Sequence, residues 1–333
     1  MRRFLALTTS LGLLAASCGG GDEQAAGGGE GQVVCETFSV LTGDNDNERS
    51  AFYALEQGIV ESDIIGELEI SYTTIPGLIA AVGTGQYDVT LTSVPGVVLA
   101  REGGVDLRVL GITLAHTGGG FKTYVREDSD IQTPEDLKGR TYGVTSFGST
   151  GTIADRIVLT KGYGLDASIE GGDMKWVELD PPTLLAALLR GDVDAADLFH
   201  NVGWEAMNHP DLRILIDSDN EYRELTGEWI AGAAFVVEPQ VLEEKRECAV
   251  EFRRMLLESV QYVEDNLDEV AEAIAPVSDV PAEFIRYWWC CGHHEYGGSI
   301  EDEWLDRAQN VWDEAFELGL LPAAPDIREL IIE

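Results

Sequence analysis

One stretch of this chain is written twice. Residues 76–89 and 182–195 share Pro76/Pro182, Leu78/Leu184, Ala80-Ala81/Ala186-Ala187, Gly85/Gly191 and Asp88/Asp194 at identical offsets. Proline suits the first turn of a helix and glycine the position just past its end. Each copy therefore predicts a short apolar helix stopped by glycine, then a strand entered through aspartate. Any two strand-helix-strand units look broadly alike, but identity at matched offsets points further, to two related lobes. The flanking pattern agrees. Strands are predicted over 33–41, 68–75, 87–91, 122–126 and 141–144, and helices over 50–57, 76–82, 153–161, 243–266 and 301–317. Residues 42–47 read as a polar loop, and 145–151 as a Gly-rich turn. Alternation of this kind makes an α/β protein with largely parallel sheets.

Length supports two bodies: 333 residues exceed what one core usually fills. The chain carries 22 Lys+Arg against 60 Asp+Glu, a net charge of -38. Such a surface repels phosphate backbones, so nucleic acid is excluded as a partner. The acids are spread along the whole chain, as in a solvating coat; a preference for cationic ligands is the sharper reading. Arg2 and Arg3 precede an apolar run, Phe4 to Ala16, that is too short to span a bilayer. Leu14-Ala15-Ala16-Ser17-Cys18 then resembles a bacterial lipobox, with Ala15 where Leu is commoner. Residues 1–17 are expected to be a signal peptide. Residues 18–32 would be a flexible tether after lipidated Cys18, being almost wholly Gly, Ala, Asp, Glu and Gln. Of the other cysteines, Cys35, Cys248, Cys290 and Cys291 allow three disulfide pairings, and a bond from Cys290 or Cys291 to Cys35 or Cys248 would tie distant segments together.

Asp136-Leu137-Lys138-Gly139-Arg140-Thr141-Tyr142-Gly143-Val144, followed by Gly148-Ser149-Thr150-Gly151, resembles solute-binding proteins of the nitrate/sulfonate/taurine class, SsuA/TauA-like, which includes the NMT1/THI5-like binders of pyrimidine precursors. The likeness extends to Tyr124 to Ser129, both repeat copies and the helix over 260–274. It departs at the Asp/Asn-rich loop 44–47 and at the Trp288 to His294 segment. The resemblance implies a bilobal type II periplasmic-binding fold with a hinge, lobe 1 at 33–115 plus 220–333 and lobe 2 at 116–219. It implies an exported, lipid-anchored monomer that needs no cofactor. That monomer captures a small organic solute, sulfonate-like or a heteroaromatic such as a pyrimidine precursor, and delivers it to an ABC permease with its ATPase.

Open α/β sheets bind ligands at the carboxyl ends of their strands. Thr145, Ser146, Ser149 and Thr150 sit in the Gly-rich turn, where free backbone N–H groups make an acceptor-binding nest or a plain helix cap. Thr74, Pro76, Gly77, Thr92 and Ser93 occupy comparable strand ends. Asp44, Asn45 and Asn47 follow the first strand and suit a ligand amine or hydroxyl, or a solvated turn. Asp197, His200, Asn201 and Trp204 follow the second repeat; Trp229 lies near the return crossing. Either indole can stack on a flat ligand or fill a core. Cys290-Cys291-Gly292-His293-His294 invites a metal, but neighbouring residues rarely all reach one ion, so no metal is expected. Ser146 and Ser149 are outside any G-x-S-x-G elbow, so no enzyme is expected; an exported relative of pyrimidine-precursor synthesis enzymes, or a sensor without transport, are the alternatives.

Overall fold

The structure is a computed structural model and describes residues 33–290 and 293–333. The expected leader, Cys18, the tether and Cys291 lie outside the described residues.

The chain begins β1 (Cys35–Gly43), α1 (Asp46–Ala51), α2 (Tyr53–Glu56), β2 (Ile65–Thr73), α3 (Ile75–Ala81), β3 (Val89–Ser93), α4 (Val94–Glu102), β4 (Arg108–His116). It crosses over and continues β5 (Lys122–Arg126), β6 (Thr141–Val144), α5 (Thr150–Tyr163), β7 (Lys175–Glu178), α6 (Pro181–Arg190), β8 (Ala195–Leu198), α7 (His200–Met207), β9 (Leu212–Ile216). It returns through α8 (Ser218–Thr226) to β10 (Ile230–Val237), α9 (Pro239–Asp265), α10 (Leu267–Ser278), α11 (Ala282–Trp289), β11 (His294–Ser299) and α12 (Asp302–Glu317).

Two sheets result, one ordered β11-β4-β10-β3-β1-β2 and the other β7-β6-β8-β5-β9. Both are mixed, each with a parallel set of strands and an antiparallel set. β1, β2 and β3 run parallel, as do β6, β7 and β8, because helical crossovers join them. β10, β4 and β11 are antiparallel to their neighbours, and β5 to β8 and β9. Most of these antiparallel strands enter or leave at the two crossings, 117–121 and 217–229.

The repeat copies occupy equivalent places. Thr74 caps α3 by accepting from Gly77 N, and Asp180 caps α6 by accepting from Thr183 N. Gly85 and Gly191 both take left-handed φ, +67° and +79°. Asp88 Oδ2 accepts from Ser39 N at 2.8 Å, and Asp194 Oδ2 from Thr141 N at 2.8 Å. In each case the aspartate precedes the first paired residue of its strand (Val89 on Val40, Ala195 on Tyr142). Its carboxylate thus satisfies the backbone N–H just below the parallel ladder.

Core packing follows from helical periodicity. α9 buries Cys248, Phe252, Met255, Leu256, Ser259, Val260 and Val263 along one face. Phe252 meets Phe38, Phe52 and Phe235 at ring-centroid distances of 6.1, 6.0 and 5.6 Å. A second apolar cluster runs through both halves, joining Val94 and Val97 of α4, Ile153 and Ile157 of α5, and Val311 and Trp312 of α12.

Three expectations are corrected here. Cys35 bonds Cys248, with Cα atoms 6.5 Å apart, so neither pairs with Cys290 or Cys291; the start of β1 lies against the buried face of α9. Cys290 is itself in a disulfide. Residues 42–47 are not a solvated loop: β1 runs to Gly43, Asn45 caps α1 by accepting from Glu48 N, and Asp46 and Asn47 are buried. The helix read over 243–266 corresponds to α9, whereas the one the resemblance placed over 260–274 is broken at Asn266, between α9 and α10.

Candidate site between the two sheets

Helices α1, α3, α4 and α5 begin just past the carboxyl ends of parallel strands, each capped by a polar side chain: Asn45, Thr74, Ser93 and Ser149. Each cap accepts a hydrogen bond from an otherwise orphaned N–H of the first turn. Two of these loops meet across the halves. Ser93 Oγ donates to Gly148 O at 3.1 Å, and Thr150 Oγ1 donates to Gly232 O at 2.6 Å.

Behind these contacts lies a buried polar cluster. Asp46 and His116 come from the six-stranded half, Asp197 and His200 from the five-stranded half, and Trp288 and His294 from α11 and β11. Trp288 Nε1 donates to Asn47 Oδ1 at 3.2 Å. The Trp288 ring lies 4.6 Å from His294, 4.8 Å from His200 and 6.2 Å from His116. His200 Nε2 is 3.5 Å from Asp46 Oδ1. His116 meets Phe121 at 4.2 Å with the rings tilted by 47°, and Phe121 meets Phe199 at 5.2 Å. Two glycines make this approach possible. A Cβ on Gly120 would sit 2.0 Å from His116 Nδ1, and one on Gly151 would sit 2.6 Å from the Phe121 ring and 2.8 Å from Asp197 Oδ2.

Several of these groups have polar atoms without a hydrogen-bond partner: Asp46 Oδ2, both Asp197 carboxyl oxygens, His116 Nδ1, His200 Nε2 and His294 Nδ1. Burial drives the electrostatics. It raises the Asp46 carboxyl, opposed by His200. It raises Asp197 far above the usual carboxylate range, with Asp155 and Asp219 adding to the effect. It pushes His116 down to about 3 and His294 well below an ordinary imidazole. Neutral imidazoles here each bring one donor and one acceptor.

Other buried acids are fully engaged. Burial pushes Glu48, Asp155 and Asp219 up to about 7. Glu48 accepts from Tyr296 Oη at 2.5 Å and Thr42 Oγ1 at 2.8 Å. Asp155 accepts from Ser218 Oγ at 2.6 Å and Tyr142 Oη at 2.8 Å. Asp219, in the second crossing, accepts from Gly120 N at 2.6 Å and Phe121 N at 3.1 Å in the first, so it clamps the two crossings together. Lys122 is already held by Asp217 Oδ1 at 2.7 Å and Gly118 O at 3.1 Å.

Of the residues singled out from sequence, the structure brings Asn47, Asp197 and His200 to the cluster, and Ser93, Ser149 and Thr150 to the contact above it. Thr145 and Ser146 are half-buried in the same turn, and Thr92 is buried one residue before Ser93. Asn45 serves as a cap. Asp44 is exposed and pairs with Arg49 at 2.8 Å. Thr74, Pro76 and Asn201 are exposed; Gly77 packs against Thr73. Trp204 lies 5.8 Å from Phe284, and Trp229 lies under the Arg223 guanidinium at 4.5 Å. Sequence reasoning passed over Asp46, His116, Phe121 and Asp219, and set Trp288 and His294 aside as a divergent segment. The Trp288–His294 run of aromatic and imidazole groups was the available signal. Among the described residues no group of three His, Cys, Asp or Glu is placed to hold a metal.

Solved structures with this architecture are numerous. Protein AF1704 of Archaeoglobus fulgidus superposes with a TM-score of 0.70 at 19% identity, covering 86% of this chain and 99% of the other. The periplasmic aliphatic sulphonate binding protein SsuA from Escherichia coli gives 0.66 at 20% identity, covering 89% and 97%. The CA3427 product of Candida albicans, described as exhibiting the generic periplasmic binding protein fold, gives 0.67 at 16%, covering 89% and 96%. At such identities the likeness shows the fold, two mixed α/β sheets flanked by helices in the periplasmic-binding-protein arrangement. Among curated proteins none matches significantly. The model of one family, described as NMT1/THI5 like, matches residues 70–269, well over half of the sequence, and the chain belongs to that family.

Proposed function

We propose that this protein is an extracytoplasmic solute-binding protein, lipid-anchored through Cys18, that captures a small organic solute between two lobes and delivers it to an ABC importer. One observation carries the reading. Buried side chains from both halves converge between the sheets with polar atoms unfilled, Asp46 and His116 from one side and Asp197 and His200 from the other. Buried polar atoms are normally paired, and a bound solute supplies the missing partners. In this reading the lobes are 33–115 plus 220–333 and 116–219, and the crossings are the hinge. The solute is a sulfonate or a flat heteroaromatic, and the working unit is a monomer without catalytic activity. Support comes from the family and from the E. coli neighbour, a periplasmic binding protein by description.

The test combines a melting-temperature screen over sulfonates, pyrimidines, flavins and amines with small-angle scattering. A ligand of the folded state raises the melting temperature, and closure lowers the radius of gyration. A stabilising ligand that leaves the scattering profile unchanged would refute capture by closure.

A further inference from the structure

The unfilled atoms at the site share one chemistry. Asp46 and Asp197 are each 1% exposed, come from opposite halves, and leave Asp46 Oδ2 and both Asp197 carboxyl oxygens without a hydrogen-bond partner. Glu48, Asp155 and Asp219 are buried as deeply, yet each has two hydrogen-bond donors of its own. The contrast separates acids that hold the fold from acids that wait for something. Lys122, in the first strand after the crossing, is taken by Asp217. Burial favours the neutral form of both acids, and a molecule bringing its own positive charge favours the carboxylate.

Between the two acids runs an unbroken row of rings. Asp197 lies beside Phe121 across Gly151; Phe121 contacts His116, His116 contacts Trp288, and Trp288 contacts His200, whose Nε2 faces Asp46. Aromatic faces attract cations as well as flat ligands.

We propose that the solute is an organic cation, a flat body bearing a protonated amine or amidinium, held by the Asp46 and Asp197 carboxylates against the Phe121, His116 and Trp288 rings. This rests on the solute-binding reading and narrows it, setting the sulfonate option aside. A sulfonate would add an anion beside two buried acids, of which Asp46 has His200 facing it and Asp197 has no hydrogen-bond donor.

Charge-matched probes of one shape test this: benzamidine and benzylamine against benzoate and benzenesulfonate, with benzamide as the neutral member, by melting temperature and titration calorimetry at pH 8. The cations are expected to stabilise the protein and the anions to leave it unchanged. D197N and D46N, which replace a buried carboxyl by an amide of the same shape, should each weaken benzamidine at least tenfold. Tyr124, Tyr142, Asp155 and Asp219 face Asp197 and its carboxyl is raised, so cation binding should release protons, measured by repeating the titration in buffers of different ionisation enthalpy. D197N should reduce that release. Benzenesulfonate binding as tightly as benzamidine, or benzamidine affinity unchanged in both variants, overturns the cation assignment while leaving solute capture standing. No response to any probe here, nor to the broader screen above, removes both.

Discussion

Asp219 joins the two crossings, and its replacement by alanine has a consequence whose size depends on pH. D219A leaves the Gly120 and Phe121 N–H groups buried without an acceptor. At about 1–3 kcal/mol for each orphaned group, the loss is about 2–6 kcal/mol. Against this stands the cost of the native carboxylate. Burial lifts its pKa from 3.8 to about 7, a differential of about 4 kcal/mol between its two protonation states. A raised folded-state pKa means stability present at low pH and lost as pH rises through about 7. Alanine has no such dependence. The wild type should therefore exceed D219A by about 4 kcal/mol at pH 4, and the gap should close by a similar amount by pH 8. In melting temperature the pH 4 gap is roughly 10 °C for a chain of this size. D219N, which keeps one acceptor, should show a smaller loss with the same pH trend. Urea unfolding of the three proteins at unit pH steps from 4 to 8 measures it, since every other titrating group is shared and cancels. A gap that stays constant within about 1 kcal/mol across that range would show that Asp219 is not buried and raised as described.

Two further outcomes follow from the fold itself. The Cys35–Cys248 bond spans 213 residues, for which loop-closure entropy predicts stabilisation of about 5 kcal/mol. C35A/C248A should lose most of that in urea, and a loss under about 1 kcal/mol would contradict it. The repeat aspartates should differ despite their equivalent places. Among the described residues Asp88 accepts from Ser39 N, Ser39 Oγ and Lys245 Nζ, whereas Asp194 accepts from Thr141 N. D88A is therefore expected to cost about 3 kcal/mol and D194A about 1, at roughly 1 kcal/mol per hydrogen bond; equal losses would refute the assignment.

How much of this was legible in the sequence depends on range. The β5 and β6 bounds agree with the strands read at 122–126 and 141–144, and α5 and α12 extend or trim their predicted spans by a few residues. Each of these rests on a period or a terminus signal within about fifteen residues. The start of α1 was misread because Asp44, Asn45, Asp46 and Asn47 have turn composition. What buries Asp46 and Asn47 is distant: His200 from the other half and Trp288 from α11. His116 and His294 are invisible as a pair until β11 lies on β4 with those two residues opposite each other. The same holds for Asp219, whose partners Gly120 and Phe121 belong to a different pass of the chain.

The failures have a common physical origin that bears on the site. In the proposed reading the cleft is built from segments that meet only after both halves have folded, so its contacts leave no local signature in the sequence. Ser149 illustrates the opposite case. The Thr145–Thr150 turn reads from sequence as an acceptor-binding nest or a helix cap, and Ser149 Oγ serves as the cap of α5, accepting from Thr152 N at 3.2 Å. Polar residues with a strong local signature tend to be consumed by that signature. Those left with unfilled valence, Asp46 and Asp197, sit in sequence contexts that predict nothing about their partners. In the proposed reading, then, the ligand-facing acids are the buried groups that lack local partners, not the caps that sequence patterns reveal.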